Sequence, residues 1–368
     1  MATAGGTIAV STYQAGKLVL ISWDGRRVAV TMRHFPRPMG VTVEGQRIAL
    51  ATRDELWLFN NAALLAPEYL DHGRYDALFL PRCTYLTGPL NLHDMAFAGN
   101  ELWVVNTRFS CLATISSEYS FVPRWHPRFI TELAPEDRCH LNGLAMVDGK
   151  PKFVTCLAET NRAGTWRQHK TDGGMLIDVE SGEPVVRGLC MPHSPRWHRG
   201  RLWLLNSGAG QLCTVDLARA TYEEVCTVPG YVRGLCFVGK HALVGLSKIR
   251  ESHLFEGLPI QKKFDRLLCG VAVIDVERGT LVGVFEFTAG AEELYDVQFL
   301  PAIHRPSILN TDKEAVRRAI TAPEFAYWLA PEAEPAPAGK GVPRSVADSQ
   351  SNLSEDREHG ALQKEGPR

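Results

Sequence analysis

Short apolar runs alternate with turn residues from residue 7 to about residue 300. TIAVST, KLVLISW, RRVAVTM, RIALAT, ELWLFN, ELWVVN, RLWLLN, MLIDV and VAVIDV are rich in Val, Ile, Leu and Trp, with Gly, Asp, Asn or Pro between them. Such runs predict β-strands and such punctuation predicts tight turns. Helical periodicity is scarce. Residues 311–329 carry the best amphipathic pattern and 61–70 a weaker one. The predicted class is all-β.

Aligned, the runs show a period. MGVTVEGQRIALAT starts at Met39, HDMAFAGNELWVVNT at His93, NGLAMVDGKPKFVTC at Asn142, HSPRWHRGRLWLLNS at His193, RGLCFVGKHALVGLS at Arg233 and YDVQFLP at Tyr295. Most read as a variable residue, a small or acidic residue, an apolar strand, a turn and a second apolar strand. A repeat of about 50 residues suits one four-stranded propeller blade. Six starts predict a six-bladed β-propeller over 1–330. The last unit has too few strands of its own, so the N-terminal strands are expected to complete it, which also removes the open sheet edges. SILN is a candidate second strand of that unit, and a short C-terminal helix follows. Residues 331–368 are rich in Pro, Ala, Ser and Glu with few large apolar side chains, which predicts a disordered tail. Two long segments interrupt the blades, at 159–173 and 249–267.

Composition narrows the function classes. The chain has 40 basic and 41 acidic side chains and a formal charge of −1. It lacks the basic excess of a nucleic-acid or membrane-surface protein, so neither partner is expected. No apolar run approaches the roughly 18 residues of a membrane helix, and the first six residues do not read as a secretory signal. The nine cysteines are odd in number and form no CxxC, so they read as buried thiols of a reducing cytoplasm. There is no GxSxG elbow, no phosphate loop and no dinucleotide fingerprint, and the Trp23–Asp24 dipeptide occurs once, not as a WD40 array.

Candidate chemistry follows from the repeat. Residues entering strand 1 of each blade ring one mouth of the central channel: Met39, His93, Asn142, His193, Arg233 and Tyr295. The next ring is Gly40, Asp94, Gly143, Ser194, Gly234 and Asp296, and Asn91, His140 and Glu293 lie two residues upstream of their starts. The ends of strand 2 bring Asn106, Arg108, Glu159 and Asn206 to the same face, with Arg53, Arg250 and Glu251. Asn106–Thr107 and Asn206–Ser207 occupy matching places and equally suit turn caps. His93, His140 and His193 are the candidate ligands of a divalent transition metal, with Asp94, Asp296 or Glu159 completing the set. A polar pocket without metal and plain structural hydrogen bonding remain open beside it. Arg233, Arg108 and Arg53 suit an anionic ligand.

The blocks NLHDMAF, LWVVNT, CHLNGLAM, MPHSPRWHRGRLWLLNSG, YVRGLCFVG and CGVAVIDV resemble an uncharacterised bacterial family of conserved hypothetical proteins, a domain of unknown function whose members look like β-propellers. The resemblance spans almost the whole chain except the tail and brings no activity. The architecture is loosely similar to gluconolactonase, paraoxonase and strictosidine-synthase propellers, whose calcium sites use Glu, Asn and Asp. Only Asn142 matches that ligand chemistry, so neither calcium nor lactonase activity carries over.

Two readings result. One is an enzyme acting on a small anion: His93 and His193 bind metal or move protons with Asp94 nearby, Asn142 and Tyr295 orient the substrate, and Arg233 holds its charge. Arg108, Glu159, Asn106 and Asn206 add further ligand contacts. The other is a non-catalytic propeller that holds a peptide or protein at the same mouth. Oligomeric state is not legible.

Overall fold

In the computed structural model, which describes residues 5–249 and 255–331, six antiparallel sheets form the blades of a propeller. The chain divides into Met1–Leu329 and Ala330–Arg368, and the propeller belongs to the first. Apart from Pro331, the expected tail lies outside the described residues. The innermost strands of blades 1 to 6 are Val41–Glu44, Leu92–Ala98, Leu141–Val147, Pro192–His198, Tyr231–Val238 and Asp296–Pro301. Blade 6 closes the ring as the sequence predicts. Asp296–Pro301 pairs with Gly6–Thr12, and Lys17–Trp23 and Val28–His34 follow outward.

Burial along the strands explains their composition. Gly6–Thr12 is buried throughout, whereas the outermost Val28–His34 alternates exposed and half-buried positions. Inner strands are covered on both faces by neighbouring blades, so they read as continuous apolar runs. The core therefore lies between blades. Val105 and Leu112 of blade 2 pack with Leu144, Val154 and Ile177 of blade 3. Trp203 of blade 4 meets Phe237 of blade 5 at 5.4 Å between ring centroids. Each such side chain contributes about 1.5–3 kcal/mol on burial. All nine cysteines are free, seven of them buried. Among the described residues, no helix is long and apolar enough to cross a membrane.

Three expectations are corrected. The helix foreseen over 311–329 is only Glu314–Arg318, followed by a hairpin of Ala319–Thr321 and Ala326–Trp328. Pro323 denies a helix its N–H and pushes the residue before it toward extended backbone. The pattern over 61–70 yields only the single turn Ala66–Glu68, around Pro67. SILN does not extend blade 6. Pro306–Ile308 crosses to blade 1 and adds a fifth, parallel strand outside Ala77–Leu86.

One device recurs at the axis. In blade 2, Leu92 pairs with Asn106 and Met95 with Val104, so His93 and Asp94 together oppose Val105. Blades 3, 4 and 5 carry a similar bulge at Asn142, Ser194–Pro195 and Arg233–Gly234. A bulge frees side chains from the strand's alternation and re-aims them. The ring that follows alternates glycine with a polar residue. Asp94 Oδ2 accepts from Leu144 N at 3.0 Å, Ser194 Oγ from Gly234 N at 3.0 Å, and Asp296 Oδ2 from Val41 N at 3.0 Å. Blades 2, 4 and 6 thus each hold the next blade by its inner-strand backbone. In return, a Cβ on Gly143 would collide with Pro195 and Thr155, and Gly234 sits at φ +80° against Asp296 and Val297.

Candidate functional site

A cavity of about 310 Å³ opens at the end of the channel where the inner strands begin. It brings together five of the candidate catalytic, binding and metal residues, His93, His140, His193, Arg233 and Tyr295, and beside them Met39, Asn91 and Glu293, also expected at this mouth. In blades 1 to 4 the residue two before the blade start is left-handed: Arg37, Asn91, His140 and Met191 have φ of 49° to 55°. This turn places a carbonyl beneath the following imidazole. His93 Nδ1 lies 3.0 Å from Asn91 O and 2.7 Å from Thr107 Oγ1, whose own proton goes to Leu141 O at 2.6 Å. His193 Nδ1 lies 2.9 Å from Met191 O and 3.1 Å from Ser207 Oγ.

A carbonyl accepts and cannot donate, so the proton of each ring sits on Nδ1 and Nε2 keeps its lone pair. Burial, then the Arg233 charge, holds both imidazoles well below the ordinary histidine value, and both are neutral at pH 7. The two rings are nearly parallel, 22° apart with centroids at 6.5 Å. His140 stands edge-on to His93, centroids at 4.8 Å. Its Nδ1 is 2.8 Å from Asp137 Oδ2, which also accepts from Trp166 Nε1 at 3.1 Å.

Arg233 lies over the Tyr295 ring, 3.3 Å from its centroid. Its Nη2 and the Tyr295 hydroxyl are buried without a hydrogen-bond partner among the described residues. Burial pushes the phenols of Tyr295 and Tyr231 up, so both keep their protons. Trp166 of one long segment and Phe255 of the other line this mouth. Trp166 packs with Leu258, Ile260 and Tyr231 in one apolar cluster, and Phe255 stacks edgewise on Tyr231 at 5.3 Å.

The other expected residues lie elsewhere. Asp94 sits one layer deeper, paired with Arg196 at 2.7 and 3.1 Å, and Asp296 lies at 3.9 Å from the same guanidinium. Asn142 accepts from Thr155 Oγ1 at 2.7 Å, with its Nδ2 unpartnered. Asn106 and Asn206 cap the backbone of Phe109 and Cys190. Arg108 bonds Pro89 O, Glu159 pairs with Arg187 at 2.5 Å, and Arg53 pairs with Asp54 at 2.6 Å. Arg250 and Glu251 lie outside the described residues. Among the described residues, no three His, Cys, Asp or Glu side chains are arranged to hold a metal ion. The three histidines do not fit a divalent cation, because the Arg233 cation shares their space. Tyr231, Asp137, Trp166 and Phe255 were not anticipated. Tyr231 had a signal, since it stands two residues before Arg233 as His140 stands before Asn142. Trp166 and Phe255 come from insertions outside the repeat.

No curated protein matches the sequence. Among solved structures, a protein of unknown function from Bacteroides caccae is similar at a TM-score of 0.50 and 9% identity, over 80% of this chain and 99% of its own. A chain of a nidogen/laminin complex reaches 0.49 at 8% identity, over 81% and 99%. Virginiamycin B lyase from Staphylococcus aureus reaches 0.38 at 15%, over 64% and 71%. At such identities the likeness concerns fold alone, and the two lower scores carry no argument. In sequence, the pattern of the domain of unknown function DUF4915 matches residues 1–309, and the chain belongs to that family.

Proposed function

We propose that the cavity binds a small organic anion and that the protein is an acid–base enzyme acting on it. The observation that carries this is Nη2 of the half-buried Arg233, itself buried and without a hydrogen-bond partner among the described residues, as is the hydroxyl of Tyr295. A buried charged donor without a partner costs more than a hydrogen bond is worth, so the site suits a ligand that supplies the missing acceptor. A carboxylate or phosphate does so. The acid–base part rests on His140. Asp137 fixes its Nδ1–H and offsets the positive charge that forms when Nε2 accepts a proton. The small volume of the cavity, about 310 Å³, with Trp166 and Phe255 in its lining, favours a small molecule over the peptide or protein partner that the sequence left open.

The test is calorimetric titration of the protein with a panel of small carboxylates and phosphates, with Arg233→Ala alongside. The expected outcome is binding by at least one class and a loss of about ten- to a hundredfold in the variant, the worth of a charged hydrogen bond. Unchanged affinity in a folded Arg233→Ala protein rejects the reading.

A further inference from the structure

We infer that the ligand carries free hydroxyl groups next to its anionic group, in the manner of a small hydroxycarboxylate. The inference rests on the anion reading above and goes beyond it, because it comes from the imidazoles beside Arg233 and Tyr295, His93 lying 5.3 Å from the Tyr295 ring. Three imidazoles line the cavity, and each has its Nδ1 tied to an acceptor: Asn91 O, Met191 O and the Asp137 carboxylate. Each therefore presents Nε2 as a lone-pair acceptor. Among the described residues no Nε2 of the three is hydrogen-bonded.

A bare inorganic anion would satisfy Arg233 and Tyr295 and would bring its own lone pairs against those of the imidazoles. A purely aliphatic acid would leave the three acceptors dry and unpaired, which is the costly arrangement. The complementary ligand has an anionic end for Arg233 and O–H donors for His93, His193 and His140. Hydroxyls suit better than ammonium groups, because the Arg233 charge already lowers the proton affinity of His93 and His193 and repels a second cation in the same way. The volume of about 310 Å³ lies at the small end of ligand pockets, so the ligand is small and its donors are few.

The test uses a matched four-carbon series in calorimetric titrations up to about 50 mM: threonate with both features, butyrate with the acid alone, and threitol with the hydroxyls alone. The expected result is threonate binding at least tenfold tighter than either, a factor that one or two well-placed hydrogen bonds provide. In His93→Ala and His193→Ala the threonate-to-butyrate ratio falls toward one, with thermal melts confirming that each variant is folded. Butyrate equal to threonate in the unaltered protein overturns the hydroxyl inference and leaves the anion reading standing. Threitol equal to threonate keeps the hydroxyl preference and overturns the anion reading. Binding of none of the three rejects both.

Discussion

At the scale of single residues, the site is defined by what its side chains lack. His193 is 3% exposed and neutral, and burial and Arg233 hold its proton affinity down. Its folded-state value lies below the ordinary 6.5, so the unfolded chain binds a proton that the folded chain does not. Stability from this group is present above about pH 6.5 and is lost as the pH falls, by up to about 1.4 kcal/mol per unit. His93 adds to the same trend. Asp296 opposes it, because burial and Asp94 raise its carboxyl to about 7, so its contribution is lost as pH rises through that value. Below about pH 6.5 both histidines act against Asp296, and urea denaturation at pH 6.5 and 5.5 should show falling stability, with a shallower fall in His193→Asn. An unchanged slope in that variant removes the argument for a neutral His193. Asp137 holds both His140 and Trp166, so Asp137→Asn should cost about 1–3 kcal/mol. It should also shift the His140 proton between its two nitrogens, which long-range proton–nitrogen spectra read directly.

At the scale of strands, the bulges decide which residues reach the axis. Position in the repeat was legible in the sequence, and it correctly brought His93, His193, Arg233 and Tyr295 to one mouth. Depth was not legible. Asp94 follows His93 immediately, yet the bulge sends it down to Arg196 instead of into the cavity. A bulge leaves no mark in apolar–polar alternation, so neither this nor the burial of Asn142 could be read from spacing. The glycine half of the axial ring is testable. Gly143→Ala forces Pro195 and Thr155 apart and should destabilise by about 1–3 kcal/mol, the cost of overpacking, measured by thermal and chemical melts. Gly45, whose Cβ position is open, is the control, although its own φ of +55° carries about 1 kcal/mol of strain.

At the scale of the molecule, the blade count and the closure by N-terminal strands were legible because each blade repeats one apolar pattern. The exit of the chain was not, since a three-residue strand lies below the length at which any pattern shows. Segment 302–310 nonetheless ties the ends together. Thr7 Oγ1 donates to Ile303 O at 2.6 Å, Arg33 Nε to Ile308 O at 2.9 Å, and Leu309 N to Phe79 O at 3.0 Å. Ile308 is fully buried, and Ile308→Ala should cost about 2–4 kcal/mol. Hydrogen exchange should then show blades 1 and 6 losing protection together; loss in blade 1 alone would separate them. The joint where the chain path begins and finishes would ordinarily be the weak point of a hoop. Here it is riveted from the axis to the outer rim, so the hoop has no natural place to spring open.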